Sequence, residues 1–194
     1  MMKLYYTPRS HFSRKVRILL DALNLDVELI DVGNVADMSI EIYGPNPLMK
    51  VPTLIDGKSI VFESDHIAQY LVRQYDKGDQ FNVMTCDVAQ LNARAVMNGI
   101  MSAEVDLVLA ARTGIDMEAH MRFNKIRESI NNGLDWLELH AEVFPDQPSY
   151  SGFHLTSMWD HLVFYELVSL DHPKLSDSVT RLSTFKYITA SIPR

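Results

Sequence analysis

The segment Asn46-Pro47-Leu48-Met49-Lys50-Val51-Pro52-Thr53-Leu54-Ile55, followed by Asp56-Gly57-Lys58, limits the possible folds of this chain more than any other stretch. Asn46-Pro47 forces an extended or turning backbone, because the proline ring clashes with a helical residue before it. Asp56-Gly57 is a tight hairpin signal, since both residues tolerate the positive φ that such turns need. Between them, Val51–Ile55 reads as a short strand headed by a proline. Pro52 has no N–H to give to a ladder, so it belongs at an edge or a strand start. An ordinary trans proline is the simplest reading of these residues. A cis bond is the alternative, and it would leave the N–H and C=O of Val51 facing a ligand rather than a neighbouring strand.

The flanking sequence extends this frame. Lys3–Tyr6 is β-prone and stops at Thr7-Pro8, and Arg9, Ser10 and His11 form a loop. Phe12, Val16, Leu19, Leu20 and Leu23 then fall on one helix face. Val27–Val32 is a second strand, ended by Gly33-Asn34. Strand, helix and strand of this size form a βαβ unit with parallel strands and a right-handed crossover. Residues 37–44 are only weakly helical. Strand Ser59–Phe62 follows the Asp56-Gly57 turn, and Glu63-Ser64 leads into a helix over Asp65–Tyr75. The result is a mixed four-stranded sheet whose last two strands are a hairpin. Asp76-Lys77-Gly78-Asp79-Gln80 is the strongest break in the chain. Beyond it the pattern is helical, over Cys86–Arg112 and Met117–Glu142, with further helices starting near Ser157 and Leu175. The sequence therefore predicts an α/β domain over residues 1–77 and an all-α, all-helical domain over 85–194.

The order strand, Val-Pro, hairpin, strand, Glu-Ser, helix resembles the N-terminal domain of the cytosolic glutathione S-transferases. That resemblance implies a thioredoxin-like fold. In the second domain, Ser157-Met158-Trp159-Asp160 has the Ser-x-x-acid form of a helix-capping box, a motif that family carries in its helical domain. Trp159 stands where a small alanine is usual. The ending His172-Pro173-Lys174-Leu175, Arg181-Leu182 and Ile192-Pro193-Arg194 is similar to the tail of bacterial-type members, so the resemblance runs along the whole chain.

Bulk properties narrow the partners. The formal net charge of −7 argues against nucleic acid or anionic membrane as the main partner. Arg9, Arg14, Lys15 and Arg17 do cluster, and a solvated basic helix face is the plainer reading of them. The single cysteine, Cys86, excludes an intrachain disulfide and fits a reducing compartment. No secretory pattern precedes the first strand, and no apolar run approaches the ~20 residues needed to span a bilayer. A cytoplasmic protein without a membrane or nucleic-acid partner is the expectation.

Ser10 carries the chemistry in this reading. It stands between the first strand and first helix, where a serine is a natural N-cap, accepting from the N–H of Phe12 or Ser13. The same position has unsatisfied N–H donors and a positive dipole end. A hydroxyl there can donate to a bound thiolate. An ordinary thiol, with a pKa near ~8.5, is mostly protonated at neutral pH, and both influences favour the ionised sulfur. Arg9-Ser10-His11-Phe12-Ser13-Arg14-Lys15-Val16-Arg17 is similar to serine-type family members, in which a serine at this position activates glutathione. It looks closest to the tau-like pattern, with His11 in place of a proline. It carries neither the zeta-type Ser-Ser-Cys nor the cysteine of omega and beta types. Ser13 is a competing candidate, one turn along. Tyr5 and Tyr6 are near enough to be considered as activators, but the strand pattern makes them core and edge residues.

The resemblance also implies the glutathione ligands. Val51, before Pro52, would pair its main chain with the cysteinyl part of the tripeptide, like an added strand. Glu63 would accept from the γ-glutamyl ammonium, and Ser64 would present its hydroxyl and N–H to the γ-glutamyl carboxylate. Lys50 would approach the glycyl carboxylate. Each has a structural alternative: Ser64 an N-cap, Lys50 a surface lysine, Glu63 a first-turn acid. His11, Asn98, Met101 and Val105 are the candidates for an acceptor-substrate site. Met97, Met101, Met117 and Met121 would make a soft pocket, or ordinary helix core. The seven histidines show no ligand spacing with Cys86 or the acids, so no metal is expected.

The function expected from the resemblance is a glutathione S-transferase, a homodimer acting in detoxification, adding glutathione to a small apolar electrophile. Its co-substrate is glutathione, and the two-fold contact would use the helices from Asp65 and Cys86. The alternative is a non-catalytic regulator on the same fold, of the stringent-starvation type, or a glutathione-dependent isomerase. Fold alone does not separate these.

Overall fold

The structure is a computed structural model that describes every residue except Asp37 and Arg194. The chain divides into two compact units. The first is Met1–Met84 together with the C-terminal residues from Phe185, and the second is Thr85–Thr184.

The first unit is built on a four-stranded sheet of order β2-β1-β3-β4, with β1 over Met2–Tyr6, β2 over Val27–Asp31, β3 over Thr53–Asp56 and β4 over Ser59–Phe62. β1 and β2 are parallel, and the other two pairings are antiparallel. Helix α1, His11–Ala22, makes the crossover between β1 and β2. Helix α2, Ser64–Tyr75, follows β4 and packs on α1. Leu4 and Leu54, register partners at the sheet centre, are fully buried with Val16, Leu19 and Leu20 of α1 and Ile67, Ala68 and Leu71 of α2. This is the thioredoxin-like mixed sheet read from the sequence. Asp56, before the Gly57 turn, accepts from the hydroxyls of Tyr70 and Tyr75, which ties the hairpin to α2. The hydrogen bond to that carboxylate pushes the Tyr75 phenol up to about 12.

The weakly helical stretch 37–44 reduces to a single 3₁₀ turn over Ile40–Tyr43, with Asp37 outside the described residues. Gly44 closes that turn at φ 60°, and a Cβ there would lie 2.6 Å from the Tyr5 ring. Only glycine meets both the backbone angle and the close approach. The tail adds a short helix, α7, Lys186–Thr189. The Arg14 guanidinium, buried, donates to the Ile188 carbonyl at 3.2 Å.

The second unit comprises helices α3 (Val88–Arg112), α4 (Met121–Leu139), α5 (Tyr150–Tyr165) and α6 (Pro173–Leu182). Asp87 caps α3 by accepting from the Gln90 N–H at 2.9 Å, so the helix starts two residues after Cys86. Separate 3₁₀ turns stand on either side of α4, dividing the segment read as one helix over Met117–Glu142. Pro173 opens α6, and the Glu138 carboxylate accepts from the N–H groups of Lys174 and Leu175, each at 3.0 Å.

The start of α5 also departs from the sequence reading. Ser157 is not a helix start. Helix α5 begins seven residues earlier, capped by Ser149, whose hydroxyl accepts from the Gly152 N–H at 3.1 Å. Ser157 sits mid-helix and donates back to the Phe153 carbonyl at 2.7 Å. The residues from Tyr150 to Trp159 are buried without a break. A helix buried on all sides has no polar face to mark where it starts. This also accommodates Trp159, which is an interior core residue of the helix rather than part of a cap.

Candidate functional site

The sheet register brings three separated segments to one end of the first unit. Tyr5, next to the end of β1, pairs with Thr53 at the start of β3, and Thr53 pairs with Phe62 at the end of β4. Val51-Pro52 therefore arrives beside the end of β1, with Glu63-Ser64 leaving β4 alongside. The loop from β1 into α1 begins at that same end.

Ser10 ends that loop. Its φ and ψ of −77° and 112° are extended, and its hydroxyl accepts from the Ser13 N–H at 3.1 Å. A serine hydroxyl has one O–H and two lone pairs. The cap uses a lone pair and leaves the O–H as a donor. Capping and donation to a ligand, opposed in the sequence reading, are therefore compatible here. Ser13, the competing hydroxyl, is fully buried.

The Val51-Pro52 peptide is cis. The loop before it is pinned by Asn46, a buried side chain that the sequence reading used only as a turn signal. Its amide donates to the Lys50 carbonyl at 2.9 Å and to the Thr53 hydroxyl at 3.0 Å, while its oxygen accepts from the Leu48 N–H at 3.0 Å. Lys50 itself is exposed. Glu63 has φ 68° and ψ 130°, a sparsely populated region for a residue with a Cβ, and its side chain is exposed. Ser64, buried, opens α2, and the Glu63 carbonyl accepts the Ile67 N–H at 2.9 Å.

Of the basic cluster, Arg9 is exposed, but Arg14 and Lys15 do not lie on a solvated face. Lys15 is fully buried, its Nζ 2.7 Å from the Asp65 carboxylate on α2. Arg14 reaches the tail as described, and Arg17 lies over the Tyr6 ring, 4.8 Å from its centroid. Helix α1 packs on α2 and on the tail helix α7, and so encloses residues that its own sequence marks as polar.

Of the acceptor-site candidates, His11 is a buried residue of the first unit, while Asn98, Met101 and Val105 share one face of α3 in the second. Met101 is fully buried, with its sulfur 3.0 Å from His154 Nε2, and Asn98 and Val105 are half-buried. Met97 is core, but Met121 is largely exposed, so the four methionines do not form one pocket. The same stretch of α3 holds a pair that sequence spacing gave no sign of. Glu104 is completely buried and lies 2.8 Å from His161 Nδ1 on α5. Burial pushes the Glu104 carboxyl up, opposed by His161.

The chain thus has a thioredoxin-like unit and an all-helical unit. Residues 4–79 match the family described as glutathione S-transferase, N-terminal domain. Over 80 residues the chain is 34% identical to glutathione S-transferase D7 of Drosophila melanogaster, a match covering 40% of this chain and 36% of that relative. Over 77 residues it is 32% identical to a stringent starvation protein A homolog of Coxiella burnetii, covering 39% of this chain and 35% of the relative. The matches thus span well under half the length of these relatives. A solved glutathione S-transferase from Methylobacillus flagellatus with GSH bound superimposes over the full length of both chains at a TM-score of 0.83 and 23% identity, a likeness of fold. Residues 4–79 thus resemble the N-terminal domain of the glutathione S-transferases, and the chain as a whole shares the fold of the solved one.

Proposed function

We propose that the chain is a glutathione transferase that holds glutathione at the end of its sheet and adds the thiolate to a small apolar electrophile. The convergence of Ser10, Val51-Pro52 and Glu63-Ser64 through the pairings Tyr5–Thr53 and Thr53–Phe62 carries this reading. Val51 offers its main chain to the cysteinyl part of the tripeptide. Glu63 takes the γ-glutamyl ammonium, Ser64 the γ-glutamyl carboxylate at the start of α2, and Lys50 the glycyl carboxylate. Ser10 donates to the sulfur, which favours thiolate over thiol and raises the fraction of nucleophile. Its half-exposed position, against the enclosed Ser13, supports Ser10 as the activating group. The candidates for holding the acceptor are His11 in the first unit and, in the second, Asn98, Met101 and Val105 on one face of α3. The GSH named with the Methylobacillus structure supports the choice of thiol.

The domains acting in this reading are the glutathione-binding segment 1–77 and the helical segment 85–194, and the chain works as a cytoplasmic homodimer. Exposed apolar side chains, Tyr75 on α2 and Val88 and Leu91 on α3, support a two-fold contact there. Among the described residues no helix is long and apolar enough to cross a membrane.

The experiment is retention on immobilised glutathione, followed by turnover with a chloro-nitro-aromatic acceptor. Retention and turnover are expected. The similarity to the stringent starvation protein A homolog keeps a second reading, a non-catalytic regulator on the same fold. Neither retention nor turnover would select it.

A further inference from the structure

The strained residue Glu63 and the helix start at Ser64 need something to hold them, because a sparsely populated backbone conformation persists only where its surroundings over-determine it. The next residue, Asp65, lies in the first turn of α2, and its carboxylate meets Lys15 Nζ at 2.7 Å. The Lys15 side chain has no exposure, while that of Asp65 retains 33%. Lys15 comes from the middle of α1, the helix whose first residues follow Ser10. One ion pair thus links the helix that presents Ser10 to the turn that presents Glu63 and Ser64.

We propose that Lys15 is a positioning residue for glutathione, acting through Asp65 to hold the Glu63–Ser64 turn against α1. The inference rests on the glutathione-binding reading of that turn. A fully buried ammonium is costly unless it is paired and hydrogen-bonded, so the pair is a poor choice as simple core filling. A lysine near the N-terminus of α2 also stands at the positive end of that helix dipole. Asp65 in the first turn offsets both unfavourable effects and fixes where that turn starts relative to α1. Loosening it lets Glu63 relax toward an ordinary φ, and its carboxylate and the Ser64 hydroxyl then no longer converge on the γ-glutamyl group.

The test compares wild type, Lys15→Met, Lys15→Arg, Asp65→Asn and the Lys15→Met/Asp65→Asn double variant, with Ser64→Ala as reference. Calorimetry gives glutathione affinity, and steady-state kinetics give KM for glutathione against kcat. The expected result is a loss of affinity of roughly 10-fold in the two charge-removing single variants, seen in KM for glutathione with kcat within about twofold of wild type. Lys15→Arg recovers most of the loss. The double variant leaves neither charge stranded, and it carries the test if the single variants do not fold. A charge pair that serves stability alone lowers the unfolding temperature and leaves affinity at the wild-type value, and that overturns the proposal. If wild type and Ser64→Ala both fail to bind glutathione, the binding reading of the turn fails and takes this inference with it. If wild type binds and Ser64→Ala is impaired while the double variant binds normally, only the role of Lys15 is overturned.

Discussion

The Asn46 amide donates to the Thr53 hydroxyl at 3.0 Å, across the cis Val51-Pro52 peptide and inside the first unit. The same side chain holds Lys50 and Leu48, so one buried amide sets the course of the whole loop into β3. Asn46→Ala removes all three hydrogen bonds and leaves the Lys50 carbonyl and Thr53 hydroxyl without that partner. The expected cost is about 1–3 kcal/mol of stability, with a weakened affinity for glutathione because Val51 is no longer presented. Urea unfolding and calorimetry measure the two. Unchanged stability would mean that the loop is held by other contacts.

Ser10→Ala is expected to change two quantities. Loss of the cap to Ser13 lowers stability by ~1 kcal/mol. Loss of the donor to sulfur lowers turnover by about 10- to 150-fold, the equivalent of one charge-assisted hydrogen bond of ~1.5–3 kcal/mol. The pH–rate profile moves to higher pH, since the bound thiol returns toward its solution pKa, while glutathione affinity stays near wild type. Ser13→Ala is the control. A shifted profile in Ser13→Ala and none in Ser10→Ala would assign activation to Ser13.

The start of α5 can be tested with two serines. Ser149→Ala removes the hydroxyl that accepts from Gly152 and is expected to cost ~1 kcal/mol. Ser157→Ala removes a hydroxyl that only donates back to Phe153, whose carbonyl keeps its place in the helix ladder, so its effect is expected within about 0.5 kcal/mol of zero. Denaturant midpoints on both variants give the comparison. A larger loss for Ser157→Ala would contradict the observed helix start.

Glu104 provides a pH signature for the helical unit. Its carboxyl is pushed up by burial, so between the ordinary value of 4.5 and the raised one the folded state binds more protons than the unfolded state. The contribution is fully present below the unfolded pKa and is lost as pH rises through the folded one. Stability should therefore fall as pH increases across that window. Glu104→Gln, neutral throughout, should show a flatter dependence over the same range. A wild-type curve rising there with an identical rise in the variant would rule out a raised Glu104.

Glu63→Ala and Ser64→Ala should each weaken glutathione binding by roughly 1–3 kcal/mol, because each leaves a charged ligand group without its partner. Calorimetry reads this directly. Wild-type affinity in both would remove the glutathione site from this end of the sheet.

The local punctuation of this chain determined much of its first unit. Prolines, the Asp56-Gly57 turn and the change from strand to helix periodicity are backbone effects that act within a few residues, so β1 to β4, α1 and α2 could be read in order. The candidate ligands followed, since Ser10, Val51 and Glu63-Ser64 stand at the ends of those elements. Tertiary structure decided what depends on neighbours distant in sequence. Lys15 and Arg14 look like a solvated face until α2 and the tail supply Asp65 and the Ile188 carbonyl. Glu104 and His161 meet only because α3 packs on α5. The start of α5 was hidden because a helix buried all round carries no amphipathic period. The cis state of Val51-Pro52 belongs here too, since the local residues leave both isomers open.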